Sequence, residues 1–150
     1  MLLRTHLTFG VLMIILFVQH INNKLIFAGM VLLATVLPDL DTGFSSWGRH
    51  WIFRPLQFFV KHRGVIHSFT TAVVLSVLLA VFWPVGALGF FIGYSVHLIC
   101  DSFTKEGIQP FWPFRARSKG PIVTGGRIED TVFVFLILLD IVLIILLFAF

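Results

Sequence analysis

The sequence predicts an all-α, polytopic membrane bundle of about five transmembrane or membrane-embedded helices joined by two interfacial loops. The first observation behind this is the balance of residues: 58% of the 150 are hydrophobic and only 12% charged, whereas a soluble domain is about half apolar and a quarter charged. Mean hydropathy accordingly reaches +1.00. The third is that the apolar residues gather into long uncharged runs, and a chain in lipid must satisfy its backbone polar groups internally, which a helix does. The length fits one integral membrane domain, residues 1–150.

The first run, about Thr5 to Ile21, follows Arg4 as a signal peptide would, but Gln19, His20, Asn22 and Asn23 stand where a small-residue cleavage pattern belongs. A retained helix is expected. Leu25 to Leu37 reaches only about 20 Å at ~1.5 Å rise per residue, short of a ~30 Å hydrocarbon core; it must extend back toward Asn22, thin the bilayer, or stop short. Val65 to Trp83 and Val85 to Cys100 are parted by Pro84 and Gly86 with almost no linker, which predicts a tight antiparallel hairpin. Thr131 to Phe150 is the last run.

Two connecting stretches, 38–64 and 101–130, are rich in Trp, Phe, Pro and Arg. Trp51 to Val60 reads as a helix lying in the interface, and Pro110 to Phe114 as an aromatic wedge at headgroup depth. Threading the spans alternately puts all but Lys24 of the eleven Lys and Arg residues on one side, which the positive-inside rule makes cytoplasmic, with the amino terminus inside and the carboxyl terminus outside. The net charge of +4 therefore reads as orientation and attraction to anionic headgroups, and no nucleic-acid partner is expected. The single cysteine, Cys100, excludes an intramolecular disulfide and reads as a packing residue.

The same threading collects His6, Asp39, Asp41, His62, His67, His97 and Asp101 at the cytoplasmic ends of different helices. Polar residues gather at helix ends without any metal, so the spacing matters. His97 and Asp101, at i and i+4, project from one helical face. Asp39 and Asp41 share a side if Leu40 between them is extended, although Asp also serves turns and caps. His62-Arg63-Gly64 followed by His67-Ser68 reads as a loop histidine, a turn, and a second histidine in the first turn of the next helix. Imidazole with carboxylate oxygen suits zinc, or manganese or iron, better than magnesium or calcium. The candidates exceed the ligands of one catalytic zinc, which allows one or two ions, or carboxylates that orient the histidines.

Arg63 suits the clamping of a phosphate oxygen, with plain headgroup contact as its alternative. Asp41 or Glu129 is the expected proton handler. His20 and His50 fall outside the group. Asp140 lies deep in the last run, where exposure to lipid costs ~2.5–3.5 kcal/mol; it should face the bundle, as a hydrogen-bonded or protonated structural residue rather than an ion relay.

Taken in order, His6, Pro38-Asp39-x-Asp41, His62-Arg63-Gly64-x-x-His67-Ser68 and Gly93-x-x-x-His97-x-x-x-Asp101-x-x-Thr104-x-x-Gly107 resemble the YdjM-like, LexA-regulated family of membrane-bound metal-dependent hydrolases. Gly125, Gly126 and Glu129 resemble that family's Gly-x-x-Glu region, and Ile66 departs from the Thr it commonly carries. The resemblance implies a bacterial inner-membrane hydrolase with these His and Asp residues as metal ligands; a substrate is not inherited with it. A site at headgroup depth, framed by Trp47, Trp51 and Trp112, points to membrane lipids and to a phosphoester or lipid-linked substrate. The alternatives are a metal-ion transporter, whose site belongs near the bilayer midplane, and a scaffold whose helices a metal pins together without catalysis.

Overall fold

The computed structural model describes residues 1–41 and 64–149, without the side chains of Asp41 and Phe148. Helix α1 covers Leu3–Phe17 and ends in a 3₁₀ turn, Val18–His20; α2 covers Lys24–Val36 and runs into a second 3₁₀ turn, Leu37–Asp41. Helices α3 (Phe69–Phe82), α4 (Pro84–Ser102) and α5 (Arg127–Ala149) follow. There is no strand among the described residues. Isolated bridges, Thr104 with Ile122 and Ile108 with Ser118, close the α4–α5 connection on itself.

The helical bundle agrees with the sequence expectation, with two refinements. Among the described residues three stretches are long and apolar enough to cross a membrane, Leu3–His20, Pro84–Ser102 and Arg127–Leu147, while α3 is apolar but shorter. The third helix also begins later than the apolar run does. The Ser68 hydroxyl accepts the Thr71 N–H at 3.2 Å and donates to the Val65 carbonyl at 2.6 Å, capping the helix and leaving Val65 to His67 in a turn before it. His67 therefore precedes the cap instead of lying in the first helical turn.

At its other end α3 is separated from α4 by Trp83 alone, and Pro84 opens α4 where its missing N–H is no loss. The hairpin is as tight as Pro84 and Gly86 suggest.

Helix α4 is the centre of the bundle, packed against α2, α3 and α1. Its closest neighbour is α2, and glycine makes that approach possible: a Cβ on Gly93 would lie 2.2 Å from the Val31 carbonyl oxygen, and one on Gly89 2.8 Å from that of Phe27. Small residues one turn apart let two helix backbones meet in this way. Phe27, Val31, Ala34, Phe90, Tyr94 and Leu98 are buried in the core. Tyr94 also donates to the Ile66 carbonyl at 2.7 Å, tying the turn before α3 to α4. Helix α5 packs on α1, and its remaining faces, with Phe135, Leu138 and Ile145, are exposed hydrocarbon of the kind lipid covers.

Candidate metal centre

The close approach of α2 and α4 brings their polar ends together. His6 lies in the first turn of α1, Asp39 in the 3₁₀ turn after α2, His67 just ahead of the Ser68 cap, and His97 and Asp101 a turn apart on α4. All three histidines and Asp101 are buried, and Asp39 is 15% exposed at the edge of the group.

The rings of His6 and His97 stack with centroids 4.0 Å apart, and those of His67 and His97 meet edge-on at 5.3 Å. His6 Nε2 lies 3.3 Å from Asp101 Oδ1. The Nε2 atoms of His67 and His97 each lie 3.8 Å from Asp101 Oδ2, and His97 Nε2 lies 3.7 Å from Asp39 Oδ1. Two groups of ligand atoms result, each within 4.8 Å: His6, Asp39 and His97, and His67, His97 and Asp101. They share His97.

Protonation is settled for that histidine by its neighbour. His97 Nδ1 is 2.8 Å from the Thr35 carbonyl oxygen, which can only accept, so Nδ1 carries the proton and Nε2 presents a lone pair to the cluster. Neither that Nε2 nor either ring nitrogen of His6 has a hydrogen-bond partner among the described residues. Leaving such buried groups unmatched costs about 1–3 kcal/mol each, and a divalent cation is the partner that imidazole lone pairs and carboxylates fit together. Asp101 already holds positive charge, since its Oδ1 pairs with the buried terminal ammonium of Met1. Burial, reinforced by the negative charge of Asp101, pushes the Asp39 carboxyl above its ordinary value, a shift that a bound cation would oppose.

Glu129 is placed differently. It is buried in the first turn of α5, and its carboxylate accepts Leu2 N–H at 2.6 Å, Thr5 Oγ1–H at 2.8 Å and Gly125 N–H at 2.7 Å. It belongs to neither ligand group. Gly125 has φ +73° with open space around it, so the glycine serves the left-handed backbone that aims its N–H at Glu129. Beyond α4, Thr104 Oγ1 donates to the Asp101 carbonyl at 2.7 Å and accepts the Gly107 N–H at 3.2 Å. These motif residues shape the turn that leaves the site.

The aromatic wedge is tied to α3: the Pro110 carbonyl accepts Phe69 N–H at 2.7 Å, and the Trp112 carbonyl accepts Thr70 Oγ1–H at 2.8 Å. Its rings Phe111, Trp112 and Phe114 are exposed. The side chain of Asp41, and His50, His62, Arg63, Trp47, Trp51 and the stretch to Val60, lie outside the described residues. His20 closes the 3₁₀ turn at the far end of α1. Asp140 is buried, as a residue facing the bundle should be, and its Oδ1 has no hydrogen-bond partner among the described residues.

Thr35 is a residue of the candidate site that sequence reasoning missed, because it meets His97 through its backbone carbonyl and its side-chain type carries no signal. Thr5 was missed with it.

Over residues 1–149 the chain matches the family model of the YdjM inner membrane protein. It is 33% identical over 113 residues to Inner membrane protein YdjM of Escherichia coli (strain K12), and to the protein of that name from Shigella flexneri. The alignment covers 65% of this chain and 56% of each relative, so the chain spans about half the length of the curated relatives it matches. No solved structure matches significantly.

Proposed function

The chain belongs to the YdjM inner membrane protein family, and from that premise we propose that it is a metal-dependent hydrolase working at one membrane face on a phosphoester or related bond of a lipid-linked substrate. One observation carries the reading. His6, Asp39, His67, His97 and Asp101 come from four separate segments, yet their ligand atoms, all buried but for those of Asp39 at the edge, lie within reach of common ions. Helix ends that were polar only for solubility would point such groups outward.

The fit is best for zinc, with manganese or iron as substitutes, and His97, shared by both groups, suits a site of one or two ions. Asp41 and His62 complete the set on sequence grounds. A cation held there supplies Lewis acidity, lowering the pKa of water toward neutrality and offsetting negative charge on the reacting phosphoryl group.

The chain's own residues do the rest. The Thr35 carbonyl fixes the orientation and tautomer of His97. Glu129, with three donors on its carboxylate, positions α1 and thereby His6, which leaves Asp41 as the proton acceptor of the two residues first considered. Arg63 forks onto a phosphate oxygen. The basic residues of the connecting stretches support a cytoplasmic location for this face.

Metal analysis of the purified protein, followed by headgroup release from lipid vesicles with zinc restored, tests the reading. Bound zinc with release that Asp101→Ala abolishes is the expected result. A protein that binds no divalent metal, or one that cleaves soluble phosphoesters and no lipid class, would overturn the hydrolase reading or its lipid substrate respectively.

A further inference from the structure

Beside the metal centre, α1, α4 and the start of α5 enclose a second space of about 360 Å³, and every side chain around it is apolar. Its wall includes Met1, Phe9 and Met13 on one side and Val96, Cys100 and Phe103 on the other. Phe9 and Met13 follow His6 by one and two helical turns, so the chamber starts beside the histidine and runs about 10 Å along α1 at ~1.5 Å per residue. On α4 the wall residues alternate with the ligands His97 and Asp101. Met1 is the partition: its side chain lines the chamber and its ammonium pairs with Asp101.

The chamber has an open edge. Ile99 and Phe103 on its rim are 47% and 55% exposed; Ile99 lies in the last turn of a helix of spanning length and Phe103 just past its end, so the edge opens where hydrocarbon meets the headgroups. The lining offers no polar side chain to a solute or an ion. The volume lies in the range of single-ligand pockets.

We propose that this chamber seats the aliphatic tail of a membrane lipid, with the lipid's polar end held at the histidine–aspartate centre. A tail leaving the bilayer for an apolar chamber gains no hydrophobic transfer energy, so its contribution is orientation: it holds the cleavable bond at the ligands. The identification of that lipid as substrate rests on the hydrolase reading, whereas tail binding does not.

The two are separated by photolabelling of the full chain, with its metal content measured in parallel. Vesicles of phosphatidylethanolamine and phosphatidylglycerol would carry a phosphatidylglycerol with a diazirine in its chain. Labelling at Met13 and Val96 is expected to saturate with probe and to exceed several-fold that at Val81 and Ile145, which are exposed on α3 and α5. Val96→Phe should suppress the label at Met13, and Met13→Phe that at Val96, with bound zinc retained in both as the check on folding. Labelling at Met13 and Val96 that rises linearly and stays no greater than at Val81 would overturn the proposal by reducing the occupant to bulk lipid. Saturable labelling of a protein that holds no zinc would sustain the chamber and bring down the hydrolase reading instead.

Discussion

Asp101 and Glu129 are both buried carboxylates at the same end of the bundle, and they are built for opposite purposes. Glu129 meets three donors, two backbone N–H groups and a hydroxyl, all within 2.8 Å. Asp101 faces imidazole nitrogens at 3.3–3.8 Å, a spacing that leaves room for something between them. What a buried carboxylate does is therefore read from what its neighbours still lack. Around Glu129 the donors are matched and the result is a pin between α1 and α5. Around Asp101, His97 Nε2 and the ring nitrogens of His6 have no hydrogen-bond partner among the described residues, and the arrangement is that of a candidate cation site.

Substitution should separate the two roles, and the largest effect is expected at Asp101. Asp101→Ala should lower zinc affinity by more than ~100-fold, beyond the ~10–100-fold that loss of an orienting group costs, while helicity by circular dichroism persists. A variant retaining full zinc would dissolve the contrast.

The next effect tests the α2–α4 approach that sets the carbonyl behind His97, and it changes no ligand residue. Gly93→Ala would put a methyl group 2.2 Å from the Val31 carbonyl, pushing α2 from α4 and carrying Thr35 away from His97 Nδ1. Zinc affinity should fall ~10–100-fold, measured by competition with a chromogenic chelator. Glu129→Gln should act on stability instead, costing about 1–3 kcal/mol through a mismatched donor set, seen as a lower Tm in detergent with zinc stoichiometry kept. Loss of the metal in this variant would place Glu129 with Asp101 after all. Asp140→Asn, remote from both, should leave zinc content unchanged and shift stability by less than ~1 kcal/mol; metal uptake into proteoliposomes that this change abolished would favour transport.

Much of this contrast was legible in the sequence, and the rest was hidden for definite reasons. Apolar runs located the five described helices because lipid demands long uncharged segments, and Pro84 marked the hairpin because proline lacks the N–H that a helix interior needs. The i,i+4 spacing of His97 and Asp101 fixed their common face. Composition could not show that Ser68 delays α3, since a capping hydroxyl shortens a helix without lowering the hydropathy around it. Nor could residue type distinguish the two carboxylates: Glu129 and Asp101 both precede or end a spanning helix near histidines, and only their partners in space tell them apart. The Thr35 carbonyl is common to all residue types and so left no trace.

The central claim is that imidazoles and carboxylates distant in the chain share one cation site. Anomalous diffraction at the zinc edge, on crystals of the zinc-loaded protein, tests it most directly. The expected result is a peak within about 2.0–2.2 Å of nitrogens of the three histidines or of Asp39 and Asp101 oxygens, or two such peaks about 4 Å apart. Density free of any anomalous peak between His6, His67, His97 and Asp101, or a peak bound elsewhere in the bundle, would contradict the account.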